Sequence, residues 1–206
     1  MSRYCKQCGK AIKACICHWI QTIDAKTELW ILQHPSETKR AIGTARILTL
    51  SLPNSRLFVG EDFSAHQELN QLLADPCRQA YVIYPGEGAL PISQVAQSAA
   101  DVSAIQTLIL LDGTWKKAFK MWQLSSNLQQ LPAVMLDNAD NGNYRIRKSP
   151  KENGVSTVEA GFLALSAMEP PQSRYIPLLE TFERMIDFQI KQMPEGVFER
   201  NYGDER

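Results

Sequence analysis

Apolar residues along this chain fall into two alternating rhythms. Short, largely aliphatic runs at 29–33, 56–59, 80–84, 107–111 and 133–136, bounded by Pro, Gly or Asp, read as strands. Between them, 43–51, 65–73, 92–100 and 115–124 place apolar residues at helical spacing, and two further helical segments, 157–167 and 175–193, follow the last strand. Strand and helix in alternation predict an α/β fold: a mainly parallel sheet with helices on both faces, and ligands at the carboxyl ends of strands near a topological switch. The stretch 138–154 breaks the rhythm. It carries Asn-Gly-Asn, then Tyr144-Arg145-Ile146-Arg147-Lys148, with no apolar period, and loops of that length in compact domains are functional or disordered.

Composition narrows the class. With 206 residues, 44% hydrophobic and 21% charged, the chain can bury a sizeable core as one domain, which excludes wholesale disorder. The apolar runs are far too short to span a bilayer. No secretory leader opens the sequence, so a cytoplasmic address is expected. Net charge is zero, yet Lys plus Arg against Asp plus Glu runs 9 to 3 over residues 1–60, 1 to 7 over 61–112, 7 to 2 over 113–151 and 5 to 10 over 152–206. Two basic blocks that meet in space would make a positive face able to contact phosphates; a merely uneven solvated surface accounts for the counts nearly as well.

Four of five cysteines crowd the amino terminus as Cys5-x2-Cys8-x6-Cys15-x-Cys17. In a reducing compartment such clustering favours a metal over disulfides, and four soft thiolates suit one tetrahedral zinc with no open coordination position, hence a structural site. His18 could stand in for Cys17. A redox role for Cys5 and Cys8 leaves the other two cysteines unexplained. Cys77 and His66 read as ordinary structural residues. Farther along, Leu111-Asp112-Gly113-Thr114-Trp115 puts a carboxylate where a buried strand gives way to a helix, a place that serves catalysis or helix capping equally well. Tyr84-Pro85-Gly86 would form a second loop at the same sheet edge. Ser156-Thr157-Val158-Glu159-Ala160 has the form of a capping box.

Taken in order, these pieces resemble the DTW-domain family of tRNA-uridine aminocarboxypropyltransferases, whose Asp-x-Thr-Trp motif stands here as Asp112-Gly113-Thr114-Trp115. The cysteine opening, His34-Pro35-x-Glu37-x-x-Arg40-x-x-Gly43-Thr44, Tyr84-Pro85-Gly86, Tyr144-Arg145-Ile146-Arg147 and Ser156-Thr157-x-Glu159-Ala160 match family landmarks in family order. One departure is Gly43, where the family's usual run carries Asn. The resemblance implies a SPOUT-like fold with a knotted carboxyl-terminal half, S-adenosylmethionine as co-substrate, structural zinc, and tRNA as partner. The reaction it implies is transfer of the aminocarboxypropyl group to a uridine imide nitrogen, in bacterial members a variable-loop uridine. On that basis residues 1–22 are the zinc segment, 23–195 the catalytic domain and 196–206 an acidic, frayed tail.

The resemblance also distributes roles. Asp112 is the expected base, with Thr114 and Trp115 beside it. Tyr84, Pro85, Gly86, Leu111, Thr114, Trp115, Ser156, Thr157, Glu159 and Ala160 would line the cofactor pocket. Lys39, Arg40, Arg145, Arg147, Lys148 and the zinc segment are candidates for tRNA backbone contacts. Trp115 could equally be core, one turn into a helix, and Glu159 could be spent entirely on its cap. No membrane association is expected; a homo-oligomer is open. The rival readings are an RNA methyltransferase using the same cofactor and a non-enzymatic zinc-bearing RNA-binding module.

Overall fold

The computed structural model describes residues 3–40, 42–99, 103–137 and 155–192. Among these residues six strands form one parallel sheet: β1 (Glu28–Gln33), β2 (Ser55–Val59), β3 (Arg78–Ile83), β4 (Leu90–Pro91), β5 (Ile105–Asp112) and β6 (Ala133–Met135), in the order β2-β1-β5-β3-β6-β4. The helices are α1 (Ala45–Ser51), α2 (Gln67–Leu73), α3 (Ile92–Ala99), α4 (Trp115–Leu124), α5 (Ser126–Gln129), α6 (Thr157–Met168) and α7 (Ile176–Lys191). The expected α/β architecture is therefore present. Among the described residues no helix is long and apolar enough to cross a membrane.

Parallel strands covered on both faces are apolar at every position, and the central strands show it. On β1, Leu29 and Ile31 point one way and Trp30 and Leu32 the other, and all four are essentially inaccessible. The first set joins Leu108 and Leu110 of β5 against α1, α3, α6 and α7. The second joins Ile109, Val82 and Phe58 against α2, α4 and α5, where Phe63, Leu69, Met121 and Leu128 fill the layer.

Strand ends moved by one or two residues from the sequence reading. The helix expected over 43–51 starts at Ala45, because Thr44 takes the N-cap position. Among the described strands and α-helices, β4 and α5 escaped the pattern altogether: β4 is two residues long and α5 four, too short for any period to register. His66 does have a structural task, since its Nδ1 accepts the Leu69 amide at 3.2 Å and caps α2. Cys77 is free and exposed.

The cysteine segment packs into the body and is no appendage. Ile16 is fully buried and Cys8 nearly so, both within the core layer under α7. The Thr181 hydroxyl donates to the Trp19 carbonyl at 3.0 Å, and the buried Lys10 ammonium donates to the Gly43 carbonyl at 3.1 Å.

Candidate active site and metal centre

Strand register assembles the carboxylate site. Gln33 and Asp112 are direct partners at the ends of β1 and β5. Each follows its strand's alternation onto the layer that α6 covers. That helix comes close because Gly161 has no side chain: a Cβ there would lie 2.7 Å from Leu48 Cδ2 and 3.3 Å from Leu29 Cδ2. Its first residue, Thr157, thereby reaches the strand ends. Asp112 is 8% exposed; Oδ2 accepts from the Gln33 side-chain amide at 2.7 Å and Oδ1 from the Thr157 hydroxyl. The Asp112 carbonyl accepts the His34 amide at 3.0 Å, which ties the loop after β1 to the same point.

This geometry removes one of the two sequence readings of Asp112. The N-cap of α4 is Thr114, and among the described residues the Asp112 carboxylate bonds no amide of that helix. Thr114 caps through its backbone alone, which leaves its exposed hydroxyl unspent on the cap. Trp115 is 58% exposed, which removes the alternative that it is a core residue. The helix buries Ala118 and Met121 instead, and Trp115, in its first turn, stays outside that buried face.

Around the carboxylate lies a polar collar from the loop after β1. The Ser36 amide donates to His34 Nδ1 at 3.2 Å, so the ring presents its Nε2–H to Glu61 Oε1 at 3.0 Å. Lys120 and His34 together hold the Glu61 carboxyl below the usual carboxylate range. Glu37, 8% exposed, bridges Lys117 at 2.7 Å and Arg40 at 2.9 Å. The Arg40 guanidinium expected on phosphate is thus paired within the protein. Lys39 is exposed, whereas Arg145, Arg147 and Lys148 lie outside the described residues. The Thr44 hydroxyl accepts the Val158 amide at 3.3 Å and locks this loop to α6. At Gly43 a Cβ would sit 3.2 Å from the Arg40 carbonyl, so the turn is tight there.

The remaining landmarks ring the same edge. Pro85 and Gly86 form an exposed turn beyond β3, closed by the Ala89 amide on the Gly86 carbonyl at 3.1 Å. Tyr84 stacks on Trp122 with ring centroids 5.0 Å apart and planes 9° from parallel. Leu111 is half-buried against the α4 layer. Ser156 and Glu159 form a complete capping box: Glu159, 7% exposed, accepts the Ser156 amide at 2.7 Å. Ala160 is buried behind it.

Gln33 is the site residue the sequence reading missed. Its signal was there: an amide ending the otherwise apolar Leu29-Trp30-Ile31-Leu32 run, directly before His34-Pro35.

At the amino terminus, the sulfurs of Cys5, Cys8, Cys15 and Cys17 all lie within 4.8 Å of one another, and His18 is not among them. Cys5 and Cys17 are 3.7 Å apart, Cys8 and Cys15 3.8 Å. Those two separations match the edge of a tetrahedron with bonds of about 2.3 Å, the zinc–thiolate length. The amides of Cys8 and Gln7 hydrogen-bond the Cys5 sulfur and lower its thiol to about 6, whereas burial pushes the Cys17 thiol up. Four thiolates this close need a cation to coexist, so the donor set fits a tetrahedral metal.

A model of the DTW domain matches residues 2–190. Among curated proteins, the chain is 29% identical over 193 residues to mouse tRNA-uridine aminocarboxypropyltransferase 2, covering 91% of this chain and 63% of that protein. It is 29% identical over 195 residues to the Drosophila melanogaster protein of the same name, covering 90% and 74%. Against Arabidopsis thaliana tRNA-uridine aminocarboxypropyltransferase A it is 26% identical, covering 91% and 81%. The chain thus spans less than two thirds of the mouse relative. No solved structure is significantly similar to it.

Proposed function

The chain belongs to the DTW domain family, and from that premise we propose that it transfers the 3-amino-3-carboxypropyl group of S-adenosylmethionine to the imide nitrogen of a tRNA uridine, releasing methylthioadenosine. The observation that carries the reading is Asp112, a buried carboxylate oriented by two side chains at the end of a central parallel strand, in a chain whose relatives bear that activity in their names.

The chemistry suits the arrangement. A uridine imide nitrogen is protonated at neutral pH and must lose that proton to attack. An ionised carboxylate offers about four acceptor positions; Gln33 and Thr157 occupy two, which fixes the group while leaving others for the imide proton. The nitrogen then bonds to the methionyl carbon next to sulfur, the carbon–sulfur bond breaks, and its electron pair neutralises the sulfonium. Three carbons on that sulfur are electrophilic, so position alone selects the aminocarboxypropyl over the methyl group, an orientation effect within the usual reach of enzymes.

Thr114, with a hydroxyl free of the cap, the exposed indole of Trp115, Leu111, and the backbone of the Tyr84-Pro85-Gly86 turn are the groups suited to hold the donor. Ser156, Thr157, Glu159 and Ala160 complete that wall through the shape of their turn, since the Glu159 carboxylate is consumed by its cap. Gln33 is a positioning residue. Lys39, with Arg145, Arg147 and Lys148 on the strength of the sequence, would meet tRNA phosphates. The four cysteines would hold zinc structurally. The SPOUT-like assignment, with its carboxyl-terminal knot, belongs to the same proposal, and the parallel sheet supports it.

The test is mass analysis of nucleosides from an unmodified tRNA transcript incubated with the protein and S-adenosylmethionine. Uridine should gain one aminocarboxypropyl group. A gain of one methyl group would instead make the protein a methyltransferase, and an unchanged nucleoside pool would remove the enzymatic reading.

A further inference from the structure

Helix α4 turns the wrong residues outward for an ordinary surface helix. Its sequence is Trp-Lys-Lys-Ala-Phe-Lys-Met-Trp-Gln-Leu, and its inward face is already supplied by Ala118 and Met121. Yet Phe119 is 52% exposed, four residues after the 58% exposed Trp115. Residues at that spacing are neighbours on one helix face, about 6 Å apart along the axis. Two large rings side by side in water forfeit the burial that an aromatic side chain normally gains.

The cations around them differ in what they are free to do. Lys117 is committed to Glu37 at 2.7 Å and Lys120 to Glu61 at 3.0 Å. Lys116 is exposed, three residues before Phe119, and has no carboxylate partner among the described residues. The helix starts three residues after Asp112, so this face continues outward from the reaction site.

We propose that Phe119, flanked by Lys116, is a stacking shelf for a second, unstacked tRNA nucleotide adjoining the target uridine; the inference rests on the tRNA-uridine reading above. An imide nitrogen lies on the base's pairing edge, so the target must be unpaired. Single-stranded RNA is held by aromatic faces that accept splayed bases and by cations that follow the backbone. A planar ring beside an unpaired ammonium supplies both parts. Pairing of this face with a second copy of the chain is disfavoured by the same residue, since two copies would bring their Lys116 charges together.

The experiment measures binding of an unmodified tRNA transcript at several salt concentrations, with wild type, Phe119→Ala, Phe119→Leu, Phe119→Trp and Lys116→Ala. Losing one base stack should weaken binding roughly 5- to 150-fold. Phe119→Ala and Phe119→Leu should both show that loss with an unchanged salt slope, and Phe119→Trp should retain affinity. Lys116→Ala should flatten the slope by about 0.7 for a single-strand contact. Binding of S-adenosylmethionine, followed calorimetrically, should not change in the Phe119 variants, which also shows that they fold. Wild-type tRNA affinity in Phe119→Ala overturns the shelf, as does wild-type affinity in Phe119→Leu, which keeps apolar bulk without a planar face. Loss of self-association with tRNA affinity intact would make the face a contact between copies instead. A wild-type protein that binds the transcript but leaves its mass unchanged defeats the transferase reading, while the Phe119 comparison still decides the shelf.

Discussion

Asp112 is held from two sides by groups of different adaptability, and that decides what a conservative replacement does. In Asp112→Asn one former acceptor becomes a donor. The Thr157 hydroxyl can rotate to accept it, and the Gln33 amide keeps the remaining oxygen. Stability should therefore fall by only about 1 kcal/mol, the worth of one altered hydrogen bond. Turnover should fall by roughly 10²–10⁴, because Asn cannot take up the imide proton. Raising the pH should partly restore it, since more uridine is then already deprotonated. Steady-state kinetics from neutral to alkaline pH check this, and near wild-type turnover at neutral pH would leave Asp112 an orienting role only. Asp112 was legible in the sequence because it ends an apolar run. Its partners were not, because Gln33 lies 79 residues away and Thr157 45, and only strand register and the close approach of α6 bring them together. The choice between site and core for Trp115 stayed open for a related reason: helical spacing says which residues share a face, and tertiary packing says which face is buried.

Between elements, a polar tie at the amino-terminal edge of the sheet is made by Glu169, just past α6. Its carboxylate accepts the Thr27 amide, the Lys26 amide at 3.1 Å and the Arg174 guanidinium at 3.2 Å, clamping α6 to the entrance of β1. Burial alone would raise its carboxyl, but the amides of Thr27 and Lys26 and the charge of Arg174 outweigh burial and leave it lowered. A carboxyl lowered in the folded state stabilises it above the unfolded value, about 4.3 for Glu. That contribution is lost as pH falls through the lower folded value. Glu169→Gln should thus be less stable than wild type by roughly 1.5–3 kcal/mol at neutral pH, the range for hydrogen bonds to a charged group. The gap should close in acid. Denaturant titrations at neutral pH and near pH 3 measure both, and a gap that persists in acid would show that shape and not charge is the source. No sequence pattern announced this clamp: a Glu after a helix, before two prolines, reads as a loop residue. The strands and helices themselves were legible wherever a full period fitted, which is why β1, β5, α4 and α6 were found and the two-residue β4 and four-residue α5 were missed.

At the scale of the whole molecule, the cysteine segment decides how much of the protein would depend on the proposed zinc. The ligand spacing was readable from four cysteines within thirteen residues. What spacing could not convey is that Ile16 and Cys8 enter the core, that Thr181 of α7 holds the Trp19 carbonyl, and that Lys10 reaches the Gly43 carbonyl beside the site loop. A separable finger would melt alone and leave the rest unchanged. Here the segment shares its core with α1, α6 and α7, so its disordering exposes apolar surface of the main body and frees the turn before α1. Zinc ligation in isolated finger peptides is worth on the order of 10–16 kcal/mol, the same order as the whole stability of a typical domain, about 5–15 kcal/mol. Chelation, or Cys15→Ser, should therefore lower the melting temperature of the entire protein and make it depend on free zinc concentration. Amide exchange should quicken in α1 and α7 as well as in the segment. Elemental analysis should find about one zinc per chain in wild type and less in Cys15→Ser, consistent with a closed four-thiolate site. Unchanged melting and unchanged protection of α1 and α7 after metal removal would show that the segment is an independent finger and that its contacts with the core contribute nothing to stability.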